Sequence, residues 1–274
     1  MRGIFAAGVL DVFLEEGTGS FDLAVGSSAG ACNLASHLAG QHGRNRRCYL
    51  TQMRRREFSD GRRFLRGGHW LDIDYLWDAF GREDPLDVVA AAAARTRLVV
   101  GTTDVETGTA AFFEPRAEDM IEVLRASSAV PLLFRKFVQL DGRHFTDGGV
   151  TAPIPVEEAY RRGARRMLVI RSRPAEFPGP SRVECSVVAA VLRAHGRLPH
   201  AFLRYREVYG RAVAFLRSPP ADCTVVHVAP ERHLRTSRMT RDAARLEHDY
   251  ARGRAAGLRA AHAWLAGASA RVLT

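Results

Sequence analysis

The stretch FDLAVGSSAGACNLASHLAG, residues 21–40, constrains this chain more than any other. It starts as a short apolar run, passes two glycines set around a serine pair, and resumes with the spacing of a small-residue helix. A switch from strand period to helix period with glycines at the joint predicts a sharp strand-to-helix corner. Gly26-Ser27-Ser28-Ala29-Gly30 fits G-x-S-x-G with Ser28 at the centre. A nucleophile on such a corner sits at strained backbone angles, and Gly26 and Gly30 are expected to leave it room. The corner lifts the Ser28 hydroxyl clear of the sheet. The first amides of the following helix, with its dipole, favour the negative charge that acyl transfer generates. The plainer reading of the same residues is a close-packed turn in which Ser28 only caps a helix.

A serine nucleophile needs a group to take its proton. Ten histidines are present, and the order Ser28, Asp147, then His195, His200 or His227 would suit a hydrolase triad. None of these histidines sits in a glycine-marked loop at a strand end, so surface or packing roles are expected for them. Asp147 differs, because it ends the strand pattern RHFT and runs directly into Gly148-Gly149. That arrangement is either an ordinary Asx-type turn or a carboxylate held at a sheet edge. Two glycine-framed polar residues at strand ends converge, in a doubly wound sheet, on the crevice where ligands bind.

Elsewhere the pattern alternates. Residues 4–16 read as a helix stopped by Gly17 and Gly19, residues 21–26 as a strand and 29–38 as a helix. Residues 43–84 read as short helices and loops. Two strands with a turn at Glu106-Thr107-Gly108 are expected over 96–115, a helix over 117–128, and a hairpin turning at Asp141-Gly142 over 136–150. Strands at 166–172 and 223–230 flank helical patterns over 183–216. A last helix over 240–266 has Thr240 as its expected cap and Asp242 in its first turn. This alternation predicts a three-layer α/β/α sandwich with a mainly parallel central sheet and a helical C-terminal extension. The expected division is a core over 1–172 and an extension over 173–274.

Composition narrows the function. No apolar run is long enough to span a bilayer and no leader-like start is visible, which predicts a cytoplasmic protein, at most peripheral at the membrane. Cys32, Cys48, Cys185 and Cys223 are scattered without metal-like spacing and read as free thiols. The formal charge is +10, yet Lys136 is the only lysine. Runs such as Arg44-Asn45-Arg46-Arg47 and Arg54-Arg55-Arg56 lack interleaved aromatics for base stacking, so a solvated basic face is expected and nucleic acid is not. Phe64, Leu65, Trp70, Leu71, Tyr75, Leu76 and Trp77 read as a covering helix packed on the core, or else as an apolar lid at a lipid interface.

Three separated motifs then occur in one order: the opening helix MRGIFAAGVLDVFLEEG, the corner GSSAG, and RASSAVPLLFRKFVQLDGRHFTDGGVTAPIP over 125–155. Together they resemble the patatin-like phospholipase family, over roughly residues 1–172. The tail, including LEHDYARG, is only loosely similar. The resemblance implies a lipid acyl hydrolase working through a Ser-Asp dyad, with Ser28 as nucleophile and Asp147 as base. The substrate would be a lipid or other acyl ester, and no metal or cofactor is implied.

The resemblance also has a gap. In the family a strand and a glycine run precede the first helix and donate oxyanion-hole amides, and Met1-Arg2-Gly3 matches only the end of that motif. Arg2, Gly3 and Ala29 are therefore the oxyanion-hole candidates that remain. Two explanations are open: an internal methionine of a longer protein, or a shortened and impaired relative that binds lipid or protein without turnover.

Overall fold

The structure, a computed structural model, describes residues 1–18, 21–267 and 272–273. Gly19, expected to help stop the first helix, lies outside the described residues. Helix α1 (Ile4–Glu15) is buried on most sides, with Ile4, Ala7, Val9 and Val12 fully enclosed. It runs into the five-residue strand β1 (Leu23–Ser27), the Ser28 corner and helix α2 (Ala29–Leu38).

Helices α3 (Arg44–Leu50), α4 (Gly61–Leu65) and α5 (Ile73–Glu83) cover the region read as short helices and loops, and α6 (Val88–Ala93) follows it. The aromatic segment there is the packed alternative and not a free lid. Leu71, Leu76 and Trp77 are buried, Phe64, Trp70 and Tyr75 are half-buried, and only Leu65 is out in solvent.

Strands β2 (Arg97–Asp104) and β3 (Ala110–Phe113) form the expected hairpin, closed where the Asp104 carboxylate accepts from Thr107 N. Helix α7 (Met120–Ser128) leads to β4 (Val138–Leu140) and β5 (Arg143–Asp147). Their turn has Asp141 and Gly142 both at positive φ, 49° and 77°, the signature of a tight two-residue hairpin. Helix α8 (Val156–Arg161), strand β6 (Arg166–Ile170), helices α9 (Arg182–Val191) and α10 (Leu198–Arg217), strand β7 (Thr224–Val228), helix α11 (Ala243–Leu265) and strand β8 (Val272–Leu273) complete the described elements. Helix α11 lies against α1, so tightly that a Cβ on Gly253 would stand 2.1 Å from the Phe5 carbonyl oxygen. Its cap is Asp242, whose carboxylate accepts from Arg245 N, and not Thr240, whose hydroxyl accepts from Ser237 N in the turn before.

The α/β layering is as expected, and the sheet is mixed. Parallel pairing holds for β1–β2, β6–β7 and β7–β8, whereas β2–β3, β2–β5 and β4–β5 are antiparallel because two hairpins are built into the sheet. The strands also fall into two groups, β1-β2-β5-β4 with β3 beside β2, and β6-β7-β8. Among the described residues no strand lies between β1 and β6, and residues of both edge strands line one cavity. Among the described residues no helix is long and apolar enough to cross a membrane.

Candidate active site

Strand pairing decides what meets what. β1 runs parallel to β2 and ends with Ser27 opposite Gly101. β5 runs antiparallel to β2 and ends with Asp147 opposite Thr102. Gly101 and Thr102 also pair with β3, so the other edge of β2 is occupied, and β1 and β5 share one edge. Two strands thus approach along that edge from opposite directions and stop at neighbouring positions. Each leaves the sheet there, one through Ser28 and the other through Asp147.

Ser28 has φ 55° and ψ −131°, a conformation that costs a non-glycine residue about 1–3 kcal/mol. Gly26 permits the corner, since a Cβ there would stand 2.7 Å from Ala31 N and 2.9 Å from Ala31 Cα. Gly30 does not serve that purpose, contrary to expectation: a Cβ added to it would meet nothing within 4 Å. The helix turns away after Gly30, so only the glycine on the strand side is sterically required. On the other arm, a Cβ on Gly148 would fall 1.9 Å from the Gly101 carbonyl oxygen, and one on Gly149 would stand 2.8 Å from Asp147 Oδ1.

The Ser28 hydroxyl donates to Asp147 Oδ2 at 2.6 Å across 119 positions of sequence. Asp147 Oδ1 accepts from Gly149 N at 2.7 Å, which fixes the rotation of the carboxylate. Its carbonyl oxygen accepts from Thr103 Oγ1 and its amide donates to Ala129 O. Burial pushes the Asp147 carboxyl above its ordinary range, partly offset by the hydrogen bonds from Ser28 and Gly149 and by the positive charge of Arg238. A carboxylate raised in this way is a better proton acceptor than one in water.

Sequence reasoning did not pick out Ser127. Its hydroxyl accepts from Ser28 N at 2.8 Å and donates to Gly101 O at 2.7 Å, tying the corner to β2. The motif RASSAVP contained it, but nothing in the spacing separates Ser127 from its neighbour Ser128, which bonds back to Leu124 O within its own helix.

Of the oxyanion candidates, Ala29 opens α2 and its N–H has no intrahelical acceptor. Gly3 lies beside it, as a Cβ on Gly3 would stand 3.0 Å from Ala29 Cβ. Asn33 Nδ2 donates to Gly3 O at 2.8 Å, pinning the start of α1 to α2. Arg2 lines the same cavity as Ser28 and Asp147, together with Arg173 and Arg238. Burial lowers the Arg2 guanidinium to about 10, with Arg173 and Arg238 adding repulsion. These last two arginines could not be told from the many others in the sequence.

The triad alternative does not assemble. His195 and His200 are exposed, with the His195 ring against Phe137, and His227 is buried beside Arg171 with its pKa lowered to about 4 by burial and that charge. Cys32, Cys48, Cys185 and Cys223 are free thiols. Among the described residues no group of three metal-ligating side chains comes together.

The cavity holding Ser28 and Asp147 measures about 1110 Å³. Leu76, Trp77, Leu132, Phe177 and Phe202 supply apolar wall, a lining suited to an acyl chain.

A sequence model described as patatin-like phospholipase matches residues 1–160, and a domain of unknown function (DUF6363) matches 195–267. The chain is 33% identical over 264 residues to a protein from Escherichia coli (strain K12) named "Uncharacterized protein YjjU", covering 93% of this chain and 73% of that one.

Proposed function

Because this chain belongs to the patatin-like phospholipase family, we propose that it is a serine lipid acyl hydrolase acting through Ser28 and Asp147. The observation that carries the reading is the 2.6 Å hydrogen bond from Ser28 Oγ to a buried carboxylate whose pKa is raised.

In the first half-reaction Asp147 accepts the hydroxyl proton while Ser28 Oγ bonds to the ester carbonyl carbon. The carbonyl electrons move onto oxygen, where the free amide of Ala29 and the dipole of α2 oppose the new charge. As the tetrahedral intermediate collapses, the C–O bond to the leaving alcohol breaks and Asp147 returns the proton to that oxygen. Water then repeats the sequence on the acyl-enzyme, with Asp147 again taking and returning a proton. Arg2 and Gly3 complete the oxyanion site in this reading. Ser127 is a positioning residue.

The competing reading, a relative that binds lipid or protein without turnover, predicts a Ser28 that does not react covalently. One experiment separates the two. A fluorophosphonate probe labels the wild-type protein, and the label disappears in Ser28→Ala and drops in Asp147→Asn. No labelling of wild type, or labelling that survives in Ser28→Ala, sinks the hydrolase.

A further inference from the structure

Helix α9 is two-faced in a way its burial explains only by half. Cys185, Ala189 and Leu192 are buried, and Cys185 and Val188 line the cavity that contains Ser28 and Asp147. On the opposite side Val183, Val187 and Val191 are 72%, 57% and 61% exposed. They stand four residues apart, so each is offset by about 40° around the helix and together they form one stripe. β-branched residues are unusual on the solvent face of a helix, where they add neither helix propensity nor solubility. On α10, packed against α9, Leu203 is also out in solvent.

The stripe is bracketed by positive charge. Arg182 precedes it, and Arg193 and Arg197 follow it in the turn to α10; all three are exposed and none forms an ion pair among the described residues. Apolar side chains aimed outward between unpaired arginines match an anionic lipid surface: the valines fit the acyl boundary and the guanidinium groups the phosphates. A second copy of the chain would oppose arginine to arginine there. The aromatic segment at α4 and α5, the region that the sequence offered as a lipid contact, is packed inward instead.

We propose that the outer face of α9 is the surface by which this protein docks on anionic membranes, setting the cavity wall formed by α9 and α10 against the lipid. This rests on the lipid acyl hydrolase reading above, and its test is built to fail separately from that reading.

The full-length Ser28→Ala protein, which leaves the membrane intact, is sedimented with vesicles of phosphatidylcholine alone or of equimolar phosphatidylcholine and phosphatidylglycerol. Binding to the anionic vesicles is expected, weakened by salt without being lost. Val187→Asp with Val191→Asp should cut it roughly tenfold or more. Arg193→Gln and Arg197→Gln should each cost about fivefold on anionic vesicles only. The two Val→Asp changes in the otherwise wild-type chain should leave hydrolysis of soluble 4-nitrophenyl butyrate, and circular dichroism, unchanged. Vesicle binding that ignores the valine changes overturns the proposal. So does absence of binding, whether or not sedimentation velocity finds a dimer that Val187→Asp dissociates. Failure of fluorophosphonate labelling with vesicle binding intact would count against the hydrolase and spare the docking face.

Discussion

The amide of Ser28 donates to the hydroxyl of Ser127 at 2.8 Å, and through that hydroxyl the strained corner is fastened to Gly101 of the neighbouring strand. The bond acts on the main chain of the nucleophile, not on its reacting oxygen. Ser127→Ala leaves an amide and a carbonyl unpaired in a buried place, at about 1–3 kcal/mol of stability. The corner can then relax, so kcat on a soluble ester should fall about tenfold or more, with KM little changed. Steady-state kinetics and thermal melting check both halves. A rise in KM alone would show that Ser127 shapes the acyl pocket and not the corner.

Asp147→Asn separates activity from stability. Loss of the proton acceptor should lower kcat/KM by about 10²–10⁴-fold. The folded protein holds the Asp147 carboxyl above its ordinary value, so the native state binds the proton more tightly than the unfolded chain does. Stability from this group is fully present below the ordinary carboxylate pKa and is lost as pH rises through the folded value. At neutral pH the ionised side chain is therefore a liability, and Asp147→Asn should keep or raise the melting temperature. A melting temperature clearly lowered at neutral pH would mean that Asp147 is held for structure.

The same electrostatics set the acid limb of the pH–rate profile. Activity in kcat/KM should fall with decreasing pH at a value above that of an ordinary aspartate. Arg238 is the charge that holds Asp147 down, so Arg238→Gln should move the limb to still higher pH. Profiles of the two proteins on an uncharged soluble ester measure the shift. An unmoved limb removes Arg238 from the electrostatics of the site.

Gly26 and Gly30 flank the same serine with opposite steric demands. Gly26→Ala drives a methyl into the backbone of Ala31 and should yield an unstable or insoluble protein. Gly30→Ala has open space and sits in the first turn of α2, where alanine favours the helix by up to about 1 kcal/mol. Its melting temperature should hold or rise. Expression yield and thermal melts of the pair read the contrast directly.

Much of this could be read from residues alone because local chemistry fixes it. The corner at Ser28, the Asp141-Gly142 hairpin and the strand ending at Asp147 each carry their signal within a few positions. Reading failed where two segments had to be compared in space. The cap of α11 fell to Asp242 because Thr240 is used by Ser237. Ser127 could not be told from Ser128, since only its place opposite Gly101 and Ser28 distinguishes them. The outward valines of α9 looked like any helical apolar pattern, for periodicity reports a stripe without saying what lies against it.

By itself the sequence determined that a serine would stand on a strained strand-to-helix corner and that an aspartate would close a strand before two glycines, because dihedral and steric demands act between near neighbours. Only the tertiary structure decided that β1 and β5 meet end to end along one edge of β2, with Ser27 opposite Gly101 and Asp147 opposite Thr102. The partner a strand takes depends on hydrogen bonds and burial across the whole sheet, and no local pattern encodes them.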